Sequence, residues 1–146
     1  MPATIPHDVA AEHSRLVRIY GEVLFTGSRA MGVERPSSDW DFVVVGTEED
    51  AIREAGSPQG SREGSAAMLM ERFGGWSVYL GRVNLIIAPS KEVFAAWAIA
   101  TDWCCERSQG VTDKRVRTHV FDHFFRRCGR YNEPCPVCGK EDSIPF

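Results

Sequence analysis

Apolar residues recur along this chain at two different periods, and the switches between them mark out its elements. Between His7 and Tyr20, the residues Val9, His13, Leu16, Val17 and Tyr20 fall at near-helical spacing, which predicts an amphipathic helix ending at Gly21. "EVLFT" follows as a short buried strand, and "GSRAMG" as a turn that opens into a brief helix. "RPSS" reads as loop, because the proline restricts Arg35 and the serines favour turns. "DWDFVVVG" is a second strand. In "TEEDAIREAG", Thr47 is a candidate N-cap with acids in the first turn, the pattern of a helix start. "GSPQGSREGS" is a Gly/Ser-rich loop, and "AAMLMERFGG" fits either period, with a helix expected. "WSVYLGRVNLIIAP" holds two apolar runs broken by Gly81-Arg82, expected to be a hairpin rather than one long bulged strand. From Ser90, Val93, Trp97, Ala100 and Cys104 share one face of a long helix, and Val116, Val120 and Phe124 do the same for another. The expected fold class is α/β (α+β): a small mixed β-sheet flanked by helices.

With 146 residues, 43% of them hydrophobic and 25% charged, the chain suits one globular domain, residues 1–127, followed by a short Cys-rich tail, 128–146. No apolar run approaches the roughly 18 residues of a membrane span, so no membrane partner is expected. The first residues lack the basic start and apolar block of a signal peptide, which points to the cytoplasm. There, the five cysteines are expected to be thiols or metal ligands rather than disulfides. A formal net charge of -3 gives no global pull toward nucleic acid, so any phosphate partner must be captured locally. The local basic cluster is Lys114, Arg115, Arg117, Arg126 and Arg127. Its ordinary reading is a solvated helix face; the alternative is contact with substrate phosphates or a nucleic-acid acceptor.

Candidate chemistry is concentrated in "LFTGSRAMGVERPSSDWDFVVVG". Alternation along a strand puts Asp39 and Asp41 on one face, with Trp40 and Phe42 directed to the core. Two carboxylates held that close repel each other unless a cation lies between them, and a hard divalent ion such as magnesium fits. Gly27-Ser28, between a strand and a helix start, offers backbone N–H groups to an anion. Singly, a Gly-Ser turn is usually just a turn and a strand-end Asp a solvated cap; their ordered combination between strands is what raises the functional reading.

Gly27-Ser28, Gly32 and then Ser38-Asp39-x-Asp41 resemble the GS-x-x-x-G…SD-x-D signature of the DNA polymerase β-like nucleotidyltransferase superfamily, particularly its minimal members. The "NLI" strand and the Trp-bearing helix after it are also similar to short phage-encoded proteins of that kind. The resemblance covers residues 22 to 46, and more loosely the chain to Pro89. It implies phosphate contact through Gly27 and Ser28, with Ser38 and Arg29 assisting, and magnesium held by Asp39 and Asp41. The implied activity is transfer of a nucleotidyl group from a nucleoside triphosphate, ATP foremost, to an unidentified acceptor: protein, RNA or small molecule. The family supplies a third carboxylate from a later strand, and here the corresponding residue is Asn84, which cannot act as a carboxylate base. Three readings stand. Asn84 belongs to a working site whose acid comes from elsewhere, with Glu71 and Asp102 as donors. Alternatively, the domain is a catalytically impaired nucleotide-binding or interaction module. Or Asn84 is an ordinary strand residue.

"CGRYNEPCPVCGK" contains one Cys-x-x-Cys knuckle, Cys135 and Cys138, with Cys128 upstream and His123 on the preceding helix. Together they form a candidate structural zinc site that would pin the tail; His119, Cys104 and Cys105 are rival ligands. The plain alternative is buried Cys104 and Cys128 with free thiols in the tail. A zinc-dependent nucleic-acid binder follows only if that site forms.

Overall fold

The computed structural model describes residues 4–57, 68–70, 75–107 and 113–127. In chain order these form α1 (His7–Tyr20), β1 (Leu24–Thr26), α2 (Gly27–Met31), β2 (Trp40–Val45), α3 (Glu48–Ala55), β3 (Met68–Met70), β4 (Gly75–Leu80), β5 (Val83–Ala88), α4 (Lys91–Glu106) and α5 (Lys114–Arg127). The strands make one mixed sheet in the order β1-β2-β5-β4-β3. Its centre is the parallel pair β2 and β5, whose Phe42-Val43-Val44 and Leu85-Ile86-Ile87 runs are buried on both faces. The remaining pairings are antiparallel. Both edges, β1 and β3, have only three residues each, which limits the unpaired backbone offered to another chain.

Several elements have legible local causes. Gly81, at φ 63°, takes the first position of the two-residue turn between β4 and β5, where a hairpin needs positive φ, so the expected hairpin forms. α3 starts with a capping box: the Thr47 hydroxyl accepts from the Asp50 N–H at 3.2 Å, and Asp50 accepts from the Thr47 N–H at 2.8 Å. Ser90 caps α4 by accepting from the Val93 N–H at 3.2 Å. Val93, Trp97, Ala100 and Cys104 of α4 are buried, as their spacing requires.

Two expectations are corrected. Met68–Met70 is a strand paired with β4, not a helix. Three residues are too few to display a period, and the partner strand decides their conformation. Val17 is 43% exposed although its neighbour Leu16 is fully buried. One residue turns a helix by about 100°, so the buried stripe of α1 passes Leu16 and misses Val17.

Two apolar clusters cover the sheet. Val9, Leu16 and Ala51, from α1 and α3, pack with Trp40, Phe42, Val44, Leu85 and Ile87 on one face. On the other, Met31 of α2 and the inner sides of α4 and α5 pack on Val43, Ile86 and Ala88. The first layer is tied by a buried ionic node. Glu54, 2% exposed, accepts from Arg15 at 3.0 and 2.8 Å and from the Tyr20 hydroxyl at 2.8 Å. Burial first, then the hydrogen bond to Glu54 and its charge, holds the Tyr20 hydroxyl well above its ordinary range. Removing one partner leaves the other charge buried and unmatched. Arg15→Ala is therefore expected to lower stability by roughly 2–3 kcal/mol in urea unfolding, below the full cost of a dry pair because Arg15 keeps some water contact. A loss within 0.5 kcal/mol contradicts this.

Candidate functional site

Register across the sheet aligns one polar row on the face covered by α4 and α5. Thr26 of β1 pairs with Asp41 of β2, Asp41 with Asn84 of β5, and Asn84 with Tyr79 of β4. The next row on that face is Leu24, Val43, Ile86 and Ser77, mostly apolar. The polar row lies at the N-terminal ends of the parallel strands, beside the turn into α2.

Asp41 is the centre of this row. The Asn84 side-chain amide donates to its carboxylate. Asn84 is itself oriented by the Ser77 hydroxyl, which donates to Asn84 Oδ1 at 2.6 Å. With its oxygen engaged by Ser77 and its NH2 directed to Asp41, Asn84 acts as a positioning donor rather than an oxygen ligand. The carboxylate also lies against Gly27: a Cβ there would stand 1.9 Å from Asp41 Oδ2, and Gly27 has φ 81°. Only glycine satisfies both the backbone conformation and this close approach. At the neighbouring strand end, the Thr101 hydroxyl donates to the Trp97 carbonyl at 2.7 Å, so Thr26 donates its own proton to Thr101 at 2.6 Å.

A cavity of about 910 Å³ opens over this row. Its polar wall includes Gly27, Ser28, Ser38, Asp41 and Asn84. Met31, Ile86, Trp97 and Phe121 supply an apolar wall, and Lys114, Arg117 and Thr118 enter from α5. Among the expected site residues, Gly27, Ser28, Ser38, Asp41 and Asn84 are thus brought together. Asp39 precedes β2, half-buried and off the cavity lining, yet near enough for its charge to act on Asp41. Arg29 is turned elsewhere. Its guanidinium donates to the Ser38 carbonyl at 2.9 Å and the Pro36 carbonyl at 3.2 Å and lies over the Trp40 ring, 4.7 Å from the centroid. Its role is to brace the loop before β2, not to line the cavity. Asp102 is exposed on α4 and does not line the cavity either, while Glu71 lies outside the described residues.

Cys128, Cys135 and Cys138 of the expected zinc site also lie outside the described residues. His123 is buried in α5, its ring 5.0 Å from that of His119, and Cys104 is buried in the core while Cys105 is exposed. Among the described residues, no three His, Cys, Asp or Glu side chains form a metal-holding group. Compared with family models, with curated proteins and with solved structures, the chain finds no match.

The electrostatics of Asp41 define what the site can do. Burial pushes its carboxyl from the ordinary 3.8 up to about 6; the Asn84 hydrogen bond opposes that rise, the Asp39 charge adds to it, and Lys114 opposes it. A cation beside Asp41 would relieve both the desolvation and the repulsion from Asp39. Carboxylate oxygens such as those of Asp41 are the donor type that hard divalent ions take.

Because the folded-state pKa is raised, the folded protein binds a proton more readily than the unfolded chain. The Asp41 charge therefore destabilises the metal-free fold above about pH 6, and the penalty fades as pH falls toward the ordinary 3.8. Asp41→Asn is expected to raise metal-free stability at pH 7.5 by on the order of 1–3 kcal/mol, with the gain nearly gone at pH 4. Urea unfolding at the two pH values measures it, and a destabilised Asn variant at pH 7.5 contradicts the assignment.

Proposed function

We propose that the protein is a magnesium-dependent nucleotidyltransferase of the DNA polymerase β-like kind. It binds a nucleoside triphosphate, ATP foremost, and transfers the nucleoside monophosphate to an acceptor with release of pyrophosphate. The observation that supports this most is the position of Asp41, a carboxylate kept at an energetic cost against Gly27 and Asn84 at the wall of a cavity. Asp41 and Asp39 would hold the metal, which supplies charge neutralisation at the phosphates. Gly27 and Ser28 offer backbone and hydroxyl groups to the phosphate tail, with Ser38 on the same wall. Asn84 holds the Asp41 carboxylate in place. The apolar wall of Met31, Trp97 and Phe121 suits the flat, weakly polar part of a nucleotide.

A second reading, a nucleotide-binding module without turnover, is favoured by one observation: Asn84, fixed by Ser77, brings no carboxylate to the acceptor side. Incubation of the full chain with labelled triphosphates and magnesium, against protein, RNA and small-molecule acceptors, separates the two. Label transfer or pyrophosphate release that falls at least about 100-fold in Asp41→Asn supports the enzyme. Saturable binding without turnover supports the module, and neither binding nor turnover rules out both.

Asn84→Asp provides an independent check. If Asn84 occupies the third position of a metal site, the added carboxylate is expected to tighten manganese binding about tenfold in calorimetric titration, because ligand charge sets affinity for hard cations. Unchanged or weaker manganese binding would take Asn84 out of the metal site and leave it only as the donor that positions Asp41.

A further inference from the structure

An alcohol that attacks phosphorus carries a proton on its oxygen, and some group must take it. Among the described residues, the ionisable side chains that line the cavity are Arg35, Asp41, Asp113, Lys114 and Arg117. A guanidinium or an ammonium has N–H donors and no lone pair to receive a proton, which leaves the two carboxylates. Both are committed. Asp113 caps α5, where it accepts from the Arg115 N–H at 2.8 Å and from the Arg115 guanidinium at 3.2 Å. Those bonds hold its carboxyl below the ordinary range, so it is a poor base. Asp41 receives the Asn84 amide, lies against Gly27 and faces the metal in the proposed reaction. Asn84 beside it offers nothing basic, since its oxygen accepts from Ser77 at 2.6 Å and its NH2 is directed to Asp41. The Thr118 hydroxyl, on the α5 side, donates to the Lys114 carbonyl at 2.9 Å and is itself too weak a base to replace a carboxylate.

We propose that the acceptor is an oxyanion, a phosphate monoester or a carboxylate, rather than an alcohol: its attacking oxygen brings its own charge into a cavity whose carboxylates are already engaged. The proposal rests on the nucleotidyl-transfer reading and narrows its acceptor. An alcohol has a pKa near that of water, about 15.7, and gives up its proton only to a base. A phosphate monoester, with a second pKa of about 6, is mostly dianionic at neutral pH, and a carboxylate, at about 4, is fully ionised. In the step, an unprotonated oxygen of the acceptor bonds to the α-phosphorus of the triphosphate. The bond from that phosphorus to the bridging oxygen of the β-phosphate breaks, and pyrophosphate leaves with the electron pair. No proton has to be removed from the attacking oxygen. The product is a pyrophosphate linkage or an acyl adenylate, not a phosphodiester, and the amide at Asn84 is then compatible with turnover.

Incubation of the full chain with ATP and magnesium, in the presence of radiolabelled inorganic phosphate, acetate or glycerol, tests this. Labelled phosphate is expected in the β-position of ADP, or labelled acetate in acetyl adenylate, at least about 100-fold faster than glycerol is adenylylated, the low end of what a positioned base contributes. Which of the two oxyanions reacts tells a phosphate acceptor from a carboxylate one. Asn84→Asp places a carboxylate beside Asp41, and transfer to glycerol is expected to rise at least about tenfold in it. A thermal midpoint near the native one establishes that the variant folds; if it does not fold, the native comparison alone decides. Glycerol accepted by the native chain as readily as either oxyanion overturns the proposal and upholds nucleotidyl transfer. A folded Asn84→Asp with no gain on glycerol overturns it too. Failure of both oxyanions while calorimetry shows ATP bound with magnesium overturns the proposal and leaves the nucleotide reading intact. Absence of ATP binding overturns both.

Discussion

A charge kept among apolar neighbours is expensive, and the Asp41 carboxylate is the place where this fold bears that expense. It stands on a sheet face whose next row is mostly apolar, in a setting that favours its neutral form. What keeps it there is short-range and specific: the missing Cβ of Gly27, the amide of Asn84, and the Ser77 hydroxyl that orients that amide. Each comes from a different strand or turn, so the carboxylate position depends on the register of the sheet. A slip of one residue in β5 would put Asn84 on the opposite face and leave Asp41 without its donor.

The rest of the architecture serves that register. β2 and β5 lie parallel at the centre of the sheet, buried on both sides, which is the environment where pairing is least free to shift. α1 and α3 clamp one face through the Glu54 node, while α4 and α5 close the other and leave a cavity above the polar row. The helices thus differ in role. One layer secures the sheet, and the other supplies side chains to the space over it.

Much of this was legible in the chain, for identifiable reasons. β2, β4 and β5 have dense β-branched or apolar runs with a glycine turn between the latter two, and α3 and α4 begin at Thr47 and Ser90, whose hydroxyls cap as their positions suggest. Gly27, Ser28 and Asp41 were marked by the glycine turn and the strand alternation, whereas Ser38 and Asn84 were marked only by the family resemblance. The orientation of Arg29 was not legible, because a guanidinium near a glycine turn has the same local sequence whether it meets a ligand or braces the Ser38 loop. Nor did the basic run of α5 reveal which cations face inward. Burial of Val120 and Phe124 fixes the helix rotation, which brings Lys114 and Arg117 to the cavity and turns Arg115 away. The signal was present in the 114, 117, 118, 121 spacing, but choosing that stripe over its neighbours requires knowing which face the core takes.

A crystal of the full chain soaked with manganese and a nonhydrolysable triphosphate, read by anomalous scattering, addresses the Asp41 site most directly. The expected result is a manganese peak at about 2.1 Å from an Asp41 oxygen, an ordinary distance for a small hard cation on carboxylate, with Asn84 still turned toward that carboxylate. A triphosphate ordered in the cavity with no metal at Asp41, or a metal bound only elsewhere, would contradict the account.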